Sequence, residues 1–130
     1  MAVFSTILAA AAAIATGTAD EAPQRASPEP QPFVILYEAG PAWRTGLPMR
    51  EQDLRAHFYY VRALDEAGKV SAAGALGADG GLIVLQPTTA AEAARIMRED
   101  PAVSAGVFVG RVAPFSPRFV GETPLNPLVP

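Results

Sequence analysis

Residues 51–85, EQDLRAHFYYVRALDEAGKVSAAGALGADGGLIVL, decide the fold. The first half carries Leu54, Phe58, Val61 and Leu64 at three- and four-residue spacing, which predicts a helix over 51–67 with those residues on its core side. Gly68 then supplies a residue that takes the left-handed backbone closing a helix. Lys69 to Ala73 reads as a strand, and Gly77-Ala78-Asp79-Gly80-Gly81 tolerates the positive φ of a hairpin connection. Leu82-Ile83-Val84-Leu85 is the most apolar strand and is expected at the centre of a sheet. The middle of the molecule is therefore helix, strand, hairpin, strand.

Outward from this stretch, Phe33-Val34-Ile35-Leu36-Tyr37 is a compact β-prone run ended by Gly40-Pro41. On the other side, Thr88 or Thr89 can cap a second helix with Glu92 just behind it. Ala91, Ala94, Ile96 and Met97 give that helix an apolar side. Asp100-Pro101 stops it, because the residue before a proline avoids the α region. Val107 to Val112 makes the last strand. The order β-α-β-β-α-β, with right-handed crossovers, predicts an α+β, ferredoxin-like unit: an antiparallel sheet with two helices on one face. The other face is left bare, which argues for a homodimer.

The two ends are of different character. Ala2 to Ala15 is uncharged and mostly apolar, and Ala15-Thr16-Gly17-Thr18-Ala19 offers small residues at alternate positions to a signal peptidase. Residues 1–19 thus read as a signal peptide, although no Lys or Arg precedes Arg25. The expectation is export, to the periplasm or beyond, with a cytoplasmic location still open. The run is shorter than the roughly 20 residues a membrane span requires. Residues 20–32, with Pro23, Pro28, Pro30 and Pro32, read as an extended tether. The folded domain is expected over 33–119, and 120–130 as a proline-punctuated tail.

Composition removes several functions. The net charge is −3 and the ten basic residues are scattered, so nucleic acid is not an expected partner. With no Cys and one His, thiol chemistry and Cys-based zinc sites are excluded, and no metal site is expected. Gly77 to Gly81 lacks the Lys-Ser/Thr ending of a phosphate loop. Without a Gly-x-Ser-x-Gly elbow, Ser71, Ser104 and Ser116 are ordinary serines.

His57 is the residue of interest. It follows Leu54 by three and precedes Val61 by four, which places it beside the apolar stripe. An imidazole there either satisfies itself on a backbone carbonyl or opens onto a cavity. Asp100 has two readings as well. Before Pro101 it suits the N-cap of a short turn over 101–104, or it orients His57 as an acid orients a general base. At 43 positions apart, spacing does not choose. Tyr59 and Tyr60 are placed to line a pocket or a dimer contact, Phe58 to enter the core, and Trp43 to form a lid or simply pack its loop.

These residues resemble a known family. The run from His57 through Gly68 to Ala73-Gly74 is similar to the helix–strand signature of YCII-related proteins, and Asp100-Pro101-Ala-Val-Ser-Ala105-Gly106-Val107 to their second motif. Pro114-Phe115 resembles their closing strand. The resemblance implies a dimeric α+β barrel with a pocket between helix and sheet, and His57 with Asp100 as the active-site pair. No cofactor is expected, because proton abstraction from an already acidic carbon or hydroxyl needs none. Relatives that act on ring-derived small molecules suggest an isomerase or a dehydrochlorinase-like lyase. Tyr60, Arg55 and Gly74 are secondary candidates for ligand contact. Two positions depart from the pattern: Ala75 replaces a Pro, and Leu54 stands where an Arg often lies, a role Arg50 or Arg55 would have to assume. The competing reading is a non-catalytic small-ligand module exported to the cell envelope.

Overall fold

The computed structural model describes residues 29–127. The expected leader and most of the tether, residues 1–28, lie outside the described residues, as do the last three of the tail. Four strands and two main helices follow in the order read from the sequence. They are β1 (Phe33–Ala39), α1 (Arg55–Glu66), β2 (Val70–Leu76), β3 (Gly80–Leu85), α2 (Ala90–Glu99) and β4 (Phe108–Pro114). A single 3₁₀ turn, Met49–Glu51, precedes α1, and a four-residue helix α3, Pro101–Ser104, follows α2.

The sheet order is β2-β3-β1-β4 with every neighbouring pair antiparallel. β1 and β2 flank β3 rather than each other, which is the split βαβ arrangement of a ferredoxin-like fold. β3 is central, as its apolar run demands. Period-two alternation sorts β1: Phe33, Ile35 and Tyr37 are buried, while Val34 and Leu36 face away and stay half-buried. Ile35, Ile83, Leu85 and Ile96 are almost wholly enclosed. Burying each such side chain is worth about 1.5–3 kcal/mol.

Local signals set the helix ends. The α1 chain closes in a Schellman motif: Lys69 N–H donates to Leu64 O at 3.0 Å and Gly68 N–H to Asp65 O at 2.9 Å. Gly68 has φ +78°, which no other residue type adopts cheaply. Thr89 caps α2, its Oγ1 accepting from Glu92 N–H at 3.1 Å. Asp100 ends α2 and caps α3, with Pro101 at the first helical position.

Several expectations need correction. Helix α1 begins at Arg55, not at residue 51, because the preceding stretch turns through the 3₁₀ segment. Phe58 is not core: it is 59% exposed and packs edge-on against Tyr59. The buried side of α1 runs through Leu54, Tyr60, Val61 and Leu64 with His57 in its middle, so Phe58 lies about 100° round from that centre. On α2 the wholly buried residues are Ala93 and Ile96, while Ala91 is exposed. Strand β2 runs on to Leu76 and carries a bulge between Val70 and Ala72. Among the described residues no helix is long and apolar enough to cross a membrane.

Candidate active site

Three separate elements meet at one buried carboxylate. Helix α1 presents His57 from its first turn, and β1 sends Tyr37 inward from the same sheet face. Asp100 stands where α2 ends and α3 begins, and is fully buried. Tyr37 Oη–H donates to Asp100 Oδ2 at 2.8 Å, and Ala102 N–H donates to Oδ1 at 2.9 Å. His57 Nδ1 lies between the two oxygens, 2.9 Å from Oδ1 and 2.8 Å from Oδ2. A buried carboxylate is stable only when such donors replace its water, and here Tyr37, Ala102 and His57 converge on it.

The cap of α3 and a contact with His57 therefore coexist on Asp100. One oxygen serves the cap and the other serves Tyr37, which leaves the imidazole between them.

His57 is held by more than its contact with Asp100. Its ring meets Tyr37 and Phe108 edge-on, with centroids 5.3 and 5.4 Å away. Trp43 stacks on Phe108 with ring centroids 5.8 Å apart, so of the readings open to it the indole packs into the same cluster. With Nδ1 turned to the carboxylate, the neutral ring carries its proton there and leaves Nε2 bare. No described residue hydrogen-bonds Nε2, and the side chain is 18% exposed. Tyr37 stays an O–H donor, because burial and the adjacent Asp100 charge push its phenol well above the ordinary tyrosine range.

The secondary candidates are less concentrated. Tyr60 donates to Ile96 O at 2.9 Å and so ties α1 to α2; burial, then the charge of Asp100, raises its phenol. Arg55 lies on the exposed start of α1 with its guanidinium 5.7 Å above the Tyr59 ring. Gly74 pairs with Leu82 on the edge strand β2, at a register position on the sheet face opposite the helices. Among the described residues neither Arg50 nor Arg55 makes an ion pair, and Asp100 is the only one in polar contact with His57. Two cavities, of about 180 Å³ beside Lys69, Gln86 and Glu92 and about 390 Å³ beside Glu38, Leu76 and Asp79, have no wall from His57. Among the described residues no group of three or more His, Cys, Asp or Glu is placed to hold a metal ion.

The family model of the YCII-related domain matches residues 32–116, which covers the whole sheet, both helices and the His57–Asp100 contact. The chain belongs to the YCII-related domain family. No curated protein and no solved structure shows significant similarity to it. Membership in the YCII-related family fixes the fold that carries the site, and leaves its chemistry to be argued from these side chains.

Tyr37 of this YCII-related site, and Gln52 in the loop before α1, carry contacts that no sequence motif marks. Tyr37 alternates with Phe33 and Ile35, so its inward direction was readable, but its partner 63 residues away was not. Gln52 had no signal at all. It is 8% exposed and staples the loop before α1: its Nε2 donates to Arg44 O and Leu47 O, and its Oε1 accepts from Arg44 N–H.

Proposed function

We propose that His57 and Asp100 act as a general acid–base pair on a small cyclic or enolic substrate, without a cofactor. The observation that supports this most is the imidazole pinned at Nδ1 by a fully buried carboxylate while Nε2 is left unbonded. In this reading Nε2 removes a proton from a carbon next to a carbonyl, and the electron pair passes into the enolate. Returning the proton to another carbon completes an isomerisation. Expelling a leaving group with its electron pair completes an elimination, as in a dehydrochlorination. Asp100 stabilises the imidazolium formed in between, a device worth about 10²–10⁴-fold in rate. A panel of small lactones and hydroxylated aromatic acids tests it. A compound turned over by the native protein and not by His57→Gln, with both folded, is the expected result. Equal turnover by the variant sinks the reading.

The alternative is a non-catalytic small-ligand module. It is favoured by the modest exposure of His57 and by the absence of that residue from both cavities described above. A panel member that raises the melting temperature and is recovered chemically unchanged supports it.

Two further parts of the proposal concern assembly and place. The sheet face away from the helices presents Val34, Leu36, Leu82, Val84, Ala72 and Val109, and we propose a second copy of the chain as its cover. Glu38 and Arg111 lie on that same face, so a two-fold partner finds opposite charges as well as apolar area. Leu36→Lys should convert a dimer to a monomer in light scattering, and a native monomer refutes the idea. Export is proposed from residues 1–19, and a mature protein starting at Asp20 by mass spectrometry is its test.

A further inference from the structure

The sheet is built around Tyr37. On β3 its cross-strand partner is Gly81, and on β4 it is Gly110. A Cβ at Gly81 would lie 3.4 Å from Tyr37 Cδ2, and one at Gly110 would lie 3.5 Å from Tyr37 Cε1 and 2.8 Å from Met97 Cγ. The phenol ring thus occupies a slot between two residues that have no side chain, with Met97 closing it from α2. Glycine weakens a strand interior, so a glycine on both sides of one residue calls for a close approach to explain it.

The slot aims the hydroxyl at Asp100 Oδ2, 2.8 Å away. The opposite oxygen is taken by Ala102 N–H at 2.9 Å. One donor alone would leave the carboxylate free to turn about its Cβ–Cγ bond. Two donors, one on each oxygen, fix its plane. His57 Nδ1 then finds both oxygens at nearly equal distance, 2.9 and 2.8 Å.

We infer that Tyr37 is a positioning residue of this site, whose hydroxyl locks the Asp100 carboxylate so that His57 keeps its proton on Nδ1 and offers Nε2 outward. The functional weight of the inference rests on the acid–base reading above, but the tautomer itself does not. Burial and the neighbouring charge keep the phenol protonated, so the donor persists across the physiological pH range.

His57 is the one histidine of the chain, so selective ¹⁵N-histidine labelling gives a single imidazole to observe. In the native protein at mildly alkaline pH, the ¹⁵N shifts should report a dominant Nδ1–H tautomer with a slowly exchanging proton. Tyr37→Phe keeps the ring and removes the donor. Loss of a charge-assisted hydrogen bond should lower the tautomer ratio about tenfold and speed the exchange of that proton. Phe108→Leu, which loosens the packing and removes no hydrogen bond, should lower the melting temperature and leave the tautomer alone. An unchanged imidazole spectrum in Tyr37→Phe overturns the inference and makes Tyr37 a packing group only. Should Tyr37→Phe not fold, the native protein decides by its phenolate absorbance. Of the three tyrosines Tyr37 should be the last to ionise, well past about pH 10, and joint titration of all three overturns the proposal. A shifted tautomer with no turnover of any substrate leaves this inference standing and fails the acid–base reading. Turnover with an indifferent tautomer does the reverse.

Discussion

Replacing Asp100 by alanine gives a direct measure of how much the fold depends on this one side chain. The carboxylate is fully buried, and its removal strands three donors. His57, at 18% exposure, can turn its Nδ1–H to water. The Tyr37 hydroxyl and the Ala102 N–H cannot, since both residues are 2% exposed. Two buried orphans at about 1–3 kcal/mol each give a loss of about 2–6 kcal/mol. The lost N-cap of α3 is already counted within that figure, because the orphaned N–H is the capped one. For a domain with about 5–15 kcal/mol in hand this is a large fraction. At about 4–8 °C per kcal/mol for a domain of this size, the melting temperature should fall by roughly 20 °C. Asp100→Asn keeps one oxygen, enough for the cap, and sets an NH2 group where Oδ2 accepted from Tyr37, so its cost should lie below the alanine variant's, at about 1–3 kcal/mol. Thermal and urea denaturation followed by circular dichroism measure both, with an unchanged urea slope marking an intact two-state transition. An alanine variant within about 1 kcal/mol of native would refute the reasoning. So would an asparagine variant as costly as the alanine one.

Gly40→Ala should destabilise by more than Gly110→Ala: its added Cβ would strike the Gly106 carbonyl oxygen, which is backbone, where Gly110 meets the yielding side chain of Met97. A cost of about 1–3 kcal/mol is expected at Gly40, by urea denaturation. Glu92 hydrogen-bonds Arg95 and Lys69, which hold its carboxyl down to about 2. A depressed carboxylate adds stability above its unfolded value of 4.5, and this is lost as pH falls from there towards about 2. Glu92→Gln should flatten the stability profile in that window, by a small amount because the pair is solvent-screened. At the other end, the raised Tyr37 phenol adds stability that is complete below pH 10.0 and is lost as pH rises beyond it. Tyr37→Phe should therefore remove much of the alkaline fall in melting temperature.

The readable parts of this fold were those with a local cause. Gly68 closed α1 because a left-handed residue is needed there whatever the tertiary context. Thr89 and Asp100-Pro101 bracketed α2 for equally local reasons. The two motifs that carry the family resemblance also drew attention to His57 and Asp100 before any distance was known. On α1 the sequence reading places Leu54, Val61 and Leu64 correctly and misplaces Phe58. Phe58 is the more hydrophobic residue and was assigned to the core, yet it is exposed, and His57 faces inward beside it. Hydrophobicity alone could not settle this, because the inward position of His57 depends on a charge-assisted bond to a residue 43 positions away.

By itself, the sequence determined the order of elements, the inward set of β1 and the two functions open to Asp100. Tertiary structure alone decided that the cap and the His57 contact coexist. With the cap on one oxygen and the Tyr37 hydroxyl on the other, the imidazole is received between them, and this depends on where β1 delivers that hydroxyl. That delivery follows from the pairing of Tyr37 with Gly81 and Gly110, strands joined only across the sheet. Register between distant strands is fixed by the packing of the whole face, and no local stretch of residues encodes it.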